Sequence, residues 1–160
     1  MLKTVISQSL VKHCLKCFKG DKVKKDEIKK ILPHREPMLL IDEAELIDGV
    51  SVGKYTVRGD EWFLKGHFPG NPVVPGVILC EMMGQSACLL IGKEKGCFTP
   101  YFTGMNNVKF KNKVLPGDTV VFKSEIVKTK NVFYFIKSEG YVEDKLCVCG
   151  ELSFAVIVNP

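Results

Sequence analysis

The chain has 160 residues, of which 46% are apolar and 26% are charged, and its net charge is +5. This length and composition predict one folded domain with a core and argue against a disordered chain. The positive charge favours an acidic partner but is too small to indicate nucleic acid, and no apolar run reaches the roughly 20 residues that a membrane-spanning helix needs.

Residues 1–23 are interpreted as an N-terminal extension. Apolar residues recur at helical spacing over residues 2–18, which predicts an amphipathic helix, and the glycine- and lysine-rich residues 19–25 are typical of a linker. Polar residues interrupt the apolar stretch, and no small-residue cleavage site follows it. We therefore expect the extension to be retained and the protein to be cytosolic.

The chain contains seven cysteines at scattered spacings. An odd number in a chain with this much core material favours free thiols in a reducing cytosol over a disulfide framework. Cys14 and Cys17 form a CxxC pair beside His13, but a structural zinc ion needs four ligands, usually from two such pairs. No second pair lies nearby, so we expect no metal.

The next part of the chain predicts a short helix and a hairpin. The helix covers about residues 24–31, and Pro33 ends it because proline cannot continue a helix. Two apolar-rich arms, residues 38–47 and 50–57, flank an Asp-Gly turn signal and predict a hairpin.

A loop dense in glycine and proline follows at residues 66–76, and a helix is predicted over residues 75–92. This helix is apolar on nearly every side, which is typical of a buried helix. After it, strand-forming residues predominate between turn signals. A long, mostly antiparallel sheet around one central helix accounts for this order, which makes residues 24–160 a single α+β domain. The strands are predicted over residues 98–105, 107–115, 119–129, 132–142 and 145–158.

Two polar residues interrupt the apolar helix, Glu81 and Gln85. They are four residues apart and therefore lie on one face, about one turn from each other. A buried carboxylate is costly unless it is paired or has a chemical role. The alternative for Glu81 is a side chain at the edge of the core that reaches solvent or a lysine, and for Gln85 it is a hydrogen-bonded core amide.

His67 lies in the loop 14 residues before Glu81. A histidine beside glycines is often a turn or packing residue, but a group that titrates near neutrality and a partly desolvated carboxyl suit general acid–base catalysis. The helix amides around Gly76 and Val77 have no intrahelical partner and could polarise a carbonyl oxygen, and Gly76 has no side chain to block the approach. These groups indicate proton abstraction next to a carbonyl, with the substrate left open.

Four motifs resemble the FabZ-type (3R)-hydroxyacyl-[acyl carrier protein] dehydratases of fatty acid synthesis. The resemblance covers the chain from about residue 24 to its end. It implies the hot-dog fold, in which a long helix is held in a curved antiparallel sheet, with units paired into homodimers and often three dimers in a hexamer. It also implies that no metal or organic cofactor is needed. The motifs are LPHREPMLLID (32–42), GHFPGNPVVPG (66–76), PGVILCEMMGQSA (75–87) and NVKFKNKVLPGD (107–118).

The resemblance also implies roles for particular residues. His67 and Glu81 match the catalytic pair, which in the family comes from two different subunits. His67 would remove a proton from carbon 2 of the substrate, whose thioester carbonyl is bound near Gly76. Glu81, oriented by Gln85, would protonate the departing 3-hydroxyl and leave a trans-2-enoyl thioester. Phe68, next to His67 in the same loop, is counted with the substrate-binding residues.

Tyr101 matches a tyrosine that gates the acyl tunnel in some members, although an ordinary strand aromatic is the alternative. Lys109, Lys111 and Lys113 alternate, so that one strand face would carry all three while Phe110 points the other way. They could bind the acidic acyl carrier protein. A solvated strand face explains the alternation equally well.

Glutamate at position 81, where FabA-type dehydratase/isomerases have aspartate, favours dehydration without isomerisation. Glu36 and Trp62 depart from the residues common in the family, away from the expected chemistry. The competing hypotheses are a hot-dog thioesterase, an acyl-coenzyme A hydratase and a non-catalytic acyl-binding subunit. The first of these needs an activated water at the carbonyl, which the loop and the buried glutamate do not especially indicate.

Overall fold

The computed structural model describes residues 22–91 and 98–158. The helix predicted over residues 2–18, residues 19–21 of the predicted linker and the CxxC pair therefore lie outside the described residues. Three helices and seven strands are present within the described ranges. They are β1 (Lys22–Lys24), α1 (Lys25–Ile31), β2 (Glu43–Ile47), β3 (Val50–Thr56), α2 (Gly76–Ser86), α3 (Cys88–Ile91), β4 (Phe98–Phe110), β5 (Thr119–Lys130), β6 (Phe133–Val142) and β7 (Lys145–Val158).

The seven strands form one antiparallel sheet in the order β1-β2-β3-β5-β6-β7-β4. Helix α2 packs against β3, β5, β6 and β7. Met82 and Met83 of α2 are fully buried in the same cluster as Phe122 of β5 and Ile136 of β6. Full burial of each such side chain stabilises the fold by about 1.5–3 kcal/mol. The prediction of an α+β hot-dog arrangement around one helix is confirmed.

The predicted single helix over residues 75–92 is wrong, because the helix is interrupted at Ala87. The Ser51 hydroxyl of β3 donates a 2.6 Å hydrogen bond to the Ser86 carbonyl at this point. The backbone approach is close, since a Cβ on Gly53 would lie 2.6 Å from the Cβ of Ser86. The end of α2 is therefore fixed to the sheet by a contact that helical periodicity does not reveal.

The two strands predicted over residues 98–105 and 107–115 are one strand, β4, with two register shifts against β7. Asn107 adopts a φ of 53° at the second shift. Lys111 and Asn112 then both donate their amides to the Cys147 carbonyl, which takes the chain out of the strand after Phe110. The prediction of three lysines on one strand face is wrong, because Lys111 and Lys113 lie beyond the strand.

The N-terminal part of the described chain differs from the prediction at the ends of two elements and by one additional strand. The short helix and the hairpin are present, and Asp48 and Gly49 have φ angles of 47° and 85°, as a tight hairpin turn needs. Residues 38–42 do not join the strand, and β1 forms within the predicted linker and straddles the boundary expected after residue 23. No helix within the two described ranges is long and apolar enough to cross a membrane.

Candidate active site

The loop that carries His67 is closed by its own backbone. The Val73 amide donates to the His67 carbonyl at 2.9 Å, and Phe68 and Asn71 exchange amide–carbonyl hydrogen bonds of 3.2 and 2.9 Å. The fixed φ of its prolines and the positive φ of Gly70, 75°, suit this tight path. The glycine- and proline-rich sequence thus produces a loop of defined shape.

The His67 ring has one nitrogen occupied and one nitrogen available. Its Nδ1 lies 2.9 Å from the Val73 carbonyl oxygen, which can only accept, so Nδ1 must donate. In a neutral imidazole the lone pair is then on Nε2, which is the form that a general base requires. The ring of Phe68 stacks on His67 with the centroids 4.0 Å apart, and Phe68 itself is about half exposed.

A pocket of about 670 Å³ opens beside this histidine. Val77, on its wall, is 73% exposed. No hydrogen bond among the described residues uses the amide of Gly76 or Val77, whereas the next two amides both donate to the Pro75 carbonyl. Within the described residues the predicted carbonyl-polarising amides are thus without an acceptor, and Gly76 and Val77 line the same pocket as His67. The lining includes His67, Gly76, Val77, Phe110, Lys111 and Lys113.

The presence of glycine at position 76 is explained by packing as well as by the access that it leaves to the helix amides. A Cβ at this position would lie 2.8 Å from the ring of Phe110. The ring is 54% exposed and lies in the pocket wall together with Lys111 and Lys113. The expectation that Phe110 points away from these lysines is wrong, because the strand ends before the lysines and their alternation no longer applies.

Glu81 lies one helical turn beyond Val77 and belongs to a separate cluster. Gln85 donates its amide to Glu81 Oε1 at 2.8 Å and to the Met38 carbonyl at 2.7 Å. The Gln85 carbonyl oxygen accepts a 2.8 Å bond from the Leu40 amide. Gln85 is 2% exposed, and its side chain therefore joins α2 to the segment between α1 and β2 while it holds Glu81.

His34 is the residue of this cluster to which the sequence reasoning gave no role. Its Nε2 lies 3.3 Å from Glu81 Oε1. Burial raises the pKa of Glu81, but hydrogen bonds from His34 and Gln85 lower it more, so that it lies below the ordinary value of 4.5. No local spacing in the LPHREP stretch indicates this role, because a histidine between Pro33 and Arg35 carries no sign of a contact with a helix so far along the chain.

Not every predicted site residue lies at the pocket of the described chain. His67, Gly76, Val77, Lys111 and Lys113 line it, whereas the cluster of Glu81 and Gln85 does not. Phe68 stacks on His67 but is not among the residues that line the pocket, and Lys109 is an exposed strand residue paired with Cys149. Tyr101, 56% exposed, lies in β4 at the edge of the sheet.

Among the residues that the structure describes, no three His, Cys, Asp or Glu side chains lie close enough together to hold a metal ion. The groups that the two clusters do offer are a base, a carboxyl and two free helix amides. Together they suit acid–base chemistry on a substrate with a polarised carbonyl.

Comparisons with known proteins define the class of protein. Residues 32–151 match the model of the FabA-like domain. The chain is 44% identical over 135 residues to the 3-hydroxyacyl-[acyl-carrier-protein] dehydratase FabZ of Clostridium perfringens, which covers 82% of this chain and 96% of the relative. The chain therefore belongs to the FabA-like family and, within it, to the FabZ-type dehydratases.

Solved structures share the fold at low sequence identity. One is the dehydratase heterocomplex ApeI:P from Xenorhabdus doucetiae, with a TM-score of 0.70 and 22% identity over 83% of this chain and 90% of that one. Another is a probable thioesterase from Bartonella henselae, with a TM-score of 0.54 and 12% identity over 69% of this chain and 92% of that one. The fold alone therefore does not distinguish dehydration from thioester hydrolysis.

Proposed function

We propose that the protein removes water from (3R)-hydroxyacyl thioesters of acyl carrier protein and forms trans-2-enoyl thioesters in fatty acid biosynthesis. The observation that carries the proposal is the His67 imidazole, which has Nδ1 bonded to the Val73 carbonyl and lies in a pocket with the free amides of Gly76 and Val77. The 44% identity to a FabZ dehydratase supports the substrate class.

The reaction follows from these groups. The amides of Gly76 and Val77 bind the thioester carbonyl oxygen and acidify the protons on carbon 2. Nε2 of His67 takes one of these protons, and Glu81 gives a proton to the 3-hydroxyl as the bond from carbon 3 to oxygen breaks. Water and the enoyl thioester leave, after which the proton held by His67 returns through solvent to Glu81. Proton balance is complete without a cofactor.

In this proposal the acid comes from a second subunit. Glu81 lies outside the pocket of the described chain, and the exposed face of α2 at Val77 has no cover within that chain. A homodimer that covers this face would also desolvate Glu81, which raises the pKa of a carboxyl toward the range in which it can donate a proton. The lowered pKa of Glu81 therefore belongs to the uncovered site of a single subunit. The partner subunit is needed to raise this pKa into the range for proton donation.

Strand β4 is the surface that we assign to this dimer contact. It is an edge strand of the sheet, and its other side has no strand partner in residues 22–91 and 98–158. Tyr101, Met105 and Phe110 on it are each at least half exposed. Long apolar edge strands are rarely left open in proteins. Three such dimers in a hexamer, a cytoplasmic location and docking of the acidic carrier at Lys111 and Lys113 belong to the same proposal.

A subunit-mixing experiment tests the shared site. His67→Ala and Glu81→Gln are unfolded together, refolded as a mixture and assayed with a 3-hydroxyacyl carrier-protein substrate. Random pairing makes half of the dimers mixed, and each mixed dimer has one intact site, so about a quarter of the wild-type activity should return. Each variant refolded alone is the control and should stay inactive.

Two results would contradict the proposal in different ways. If the mixture stays as inactive as the separate variants while native mass spectrometry detects mixed dimers, the two residues do not act across an interface. If the wild-type protein releases free carrier thiol without enoyl product, the protein is a thioesterase. Enoyl formation is read at the ultraviolet absorbance of the conjugated thioester and free thiol with a colorimetric reagent.

A further inference from the structure

We propose that His34 is a positioning residue which, together with Gln85, fixes the Glu81 carboxyl group so that its Oε2 atom faces the substrate. The inference rests on the proposed catalytic role of Glu81 and adds a second histidine to the site. His34 does not contact the reacting atoms and acts only through Glu81.

The two donors converge on a single oxygen of Glu81. Gln85 Nε2 lies 2.8 Å from Oε1, and His34 Nε2 lies 3.3 Å from the same atom. Oε2 makes no hydrogen bond within residues 22–91 and 98–158. Since the two donors come from different directions, α2 and the segment after α1, they fix the carboxyl plane as well as its position. One oxygen is held and the other is left for chemistry.

The second ring nitrogen of His34 indicates that the ring serves its contact with Glu81 and not the stability of the fold. Its Nδ1 is buried and is the one buried side-chain nitrogen or oxygen in the described residues without a hydrogen-bond partner. A buried polar atom without a partner lowers the stability of a fold. An apolar side chain at this position would avoid that cost, so the fold by itself does not favour histidine here.

The backbone around His34 is held on both sides. The Arg35 guanidinium donates to the carbonyls of Leu32 at 3.0 Å and His34 at 2.6 Å. Four residues further on, Gln85 holds the Met38 carbonyl. The imidazole is therefore presented to Glu81 from a segment whose own position depends on the same glutamine. Such support is what a catalytic group needs to keep a productive geometry.

The consequence for the chemistry is a defined proton position. With both donors on Oε1, the proton of the neutral carboxylic acid resides on Oε2. In the described chain the titratable group that acts on Glu81 is His34, from the segment after α1. Cys80, its neighbour on α2, is affected in turn, since burial and the Glu81 charge raise the pKa of its thiol. In the assembled site the partner's base would be added to them.

The test compares His34→Ala, His34→Gln, Glu81→Gln and the double variant His34→Ala/Glu81→Gln. We expect His34→Ala to lower kcat about ten-fold or more with KM little changed, since it removes an interaction that matters in the transition state. His34→Gln can donate an amide hydrogen to Oε1 and should recover most of kcat. The double variant should be no slower than Glu81→Gln, because His34 acts through the carboxyl.

A pH profile separates positioning from a structural role. Without the His34 donor the pKa of Glu81 rises, so the limb of the kcat profile that reports this carboxyl should move to higher pH in His34→Ala. Glu36→Gln is the matched control, because Glu36 lies in the same segment but pairs with Lys29 at 3.0 Å on the surface. It should leave kcat and the profile unchanged.

The outcomes distinguish this inference from the proposed function. If Glu81→Gln is inactive while His34→Ala keeps its kcat and its pH profile, the positioning role is excluded and the function stands. If Glu81→Gln retains full dehydration, Glu81 is not the acid, and the positioning role fails with it although the dehydration reaction stands. A His34→Ala protein that loses kcat only in proportion to a lower melting temperature, with Gln giving no recovery, would also overturn the positioning role.

Discussion

The two halves of the candidate site, the His67 loop and the Glu81 cluster, are held by different kinds of contact. His67 is fixed by a bond to Val73 within its own loop and faces an open pocket. Glu81 is fixed by side chains, and one of these, Gln85, also bonds two backbone groups of another segment. The position of the base is therefore local, whereas the position of the acid depends on how α2 packs against residues 34–40.

The largest effect that this comparison predicts is at His67. His67→Ala should lower kcat/KM about 10²–10⁴-fold, which is the usual contribution of a general base. The melting temperature should change little, because the loop keeps its backbone hydrogen bonds and loses only one side-chain bond. Steady-state assays of enoyl formation and thermal unfolding of the same preparations measure both quantities.

Phe68→Leu is a useful control for this prediction, since it removes the ring that stacks on His67 but leaves the Nδ1–Val73 bond. It should lose much less activity. A His67→Ala protein with substantial dehydratase activity would exclude His67 as the base, and a large loss of stability would mean that its position is not locally determined.

The difference between local contacts at His67 and long-range contacts at Glu81 also explains which site residues could be predicted from the sequence. His67 was found because its loop is built from consecutive residues, so that glycine and proline spacing reports its shape. Gln85 and Glu81 were found because residues four apart share a helix face. His34 is separated from Glu81 by 47 residues of chain, and no local pattern reports a contact of that kind.

The fold could also be predicted from the sequence as far as local patterns determine it. Hydrophobic alternation and turn signals located β5, β6 and β7 to within about one residue, and the family resemblance supplied the arrangement. The errors occur where tertiary contacts end or extend an element. Ser51 ends α2 at Ser86, and the Cys147 carbonyl takes two amides after Phe110, which places Lys111 and Lys113 in the pocket wall.

A smaller effect on activity, but a larger one on stability, is expected at Gln85. Gln85→Met keeps the volume of the side chain but leaves the Leu40 amide and the Met38 carbonyl without their partner. This should cost about 2–6 kcal/mol of unfolding free energy at roughly 1–3 kcal/mol per buried group. The activity should fall as well, because Glu81 loses a donor. Urea unfolding gives the free energy, and kcat is measured below the transition.

Glu81→Gln is the matched variant for that experiment. It removes the acid but keeps an oxygen that can accept from Gln85, so it should lose activity with little loss of stability. If Gln85→Met and Glu81→Gln both leave the stability unchanged, then Gln85 does not couple the acid to the core, and the contrast between the two halves of the site disappears.

The smallest effect is expected at the lysines beside the pocket. Lys111→Glu and Lys113→Glu should raise KM for a carrier-protein substrate a few-fold at low salt, since exposed charges contribute roughly 1 kcal/mol or less each. The effect should vanish toward 1 M salt, where the screening length falls to about 3 Å.

Lys109→Glu is the control, because Lys109 carries the same charge on β4 but does not line the pocket. The same titration with an N-acetylcysteamine thioester, which carries no phosphate, separates docking of the carrier from binding of the acyl chain, since charge reversal should then leave KM nearly unchanged. Equal effects of all three variants would indicate that the charge of the whole surface, and not the position of two lysines after the end of β4, attracts the carrier.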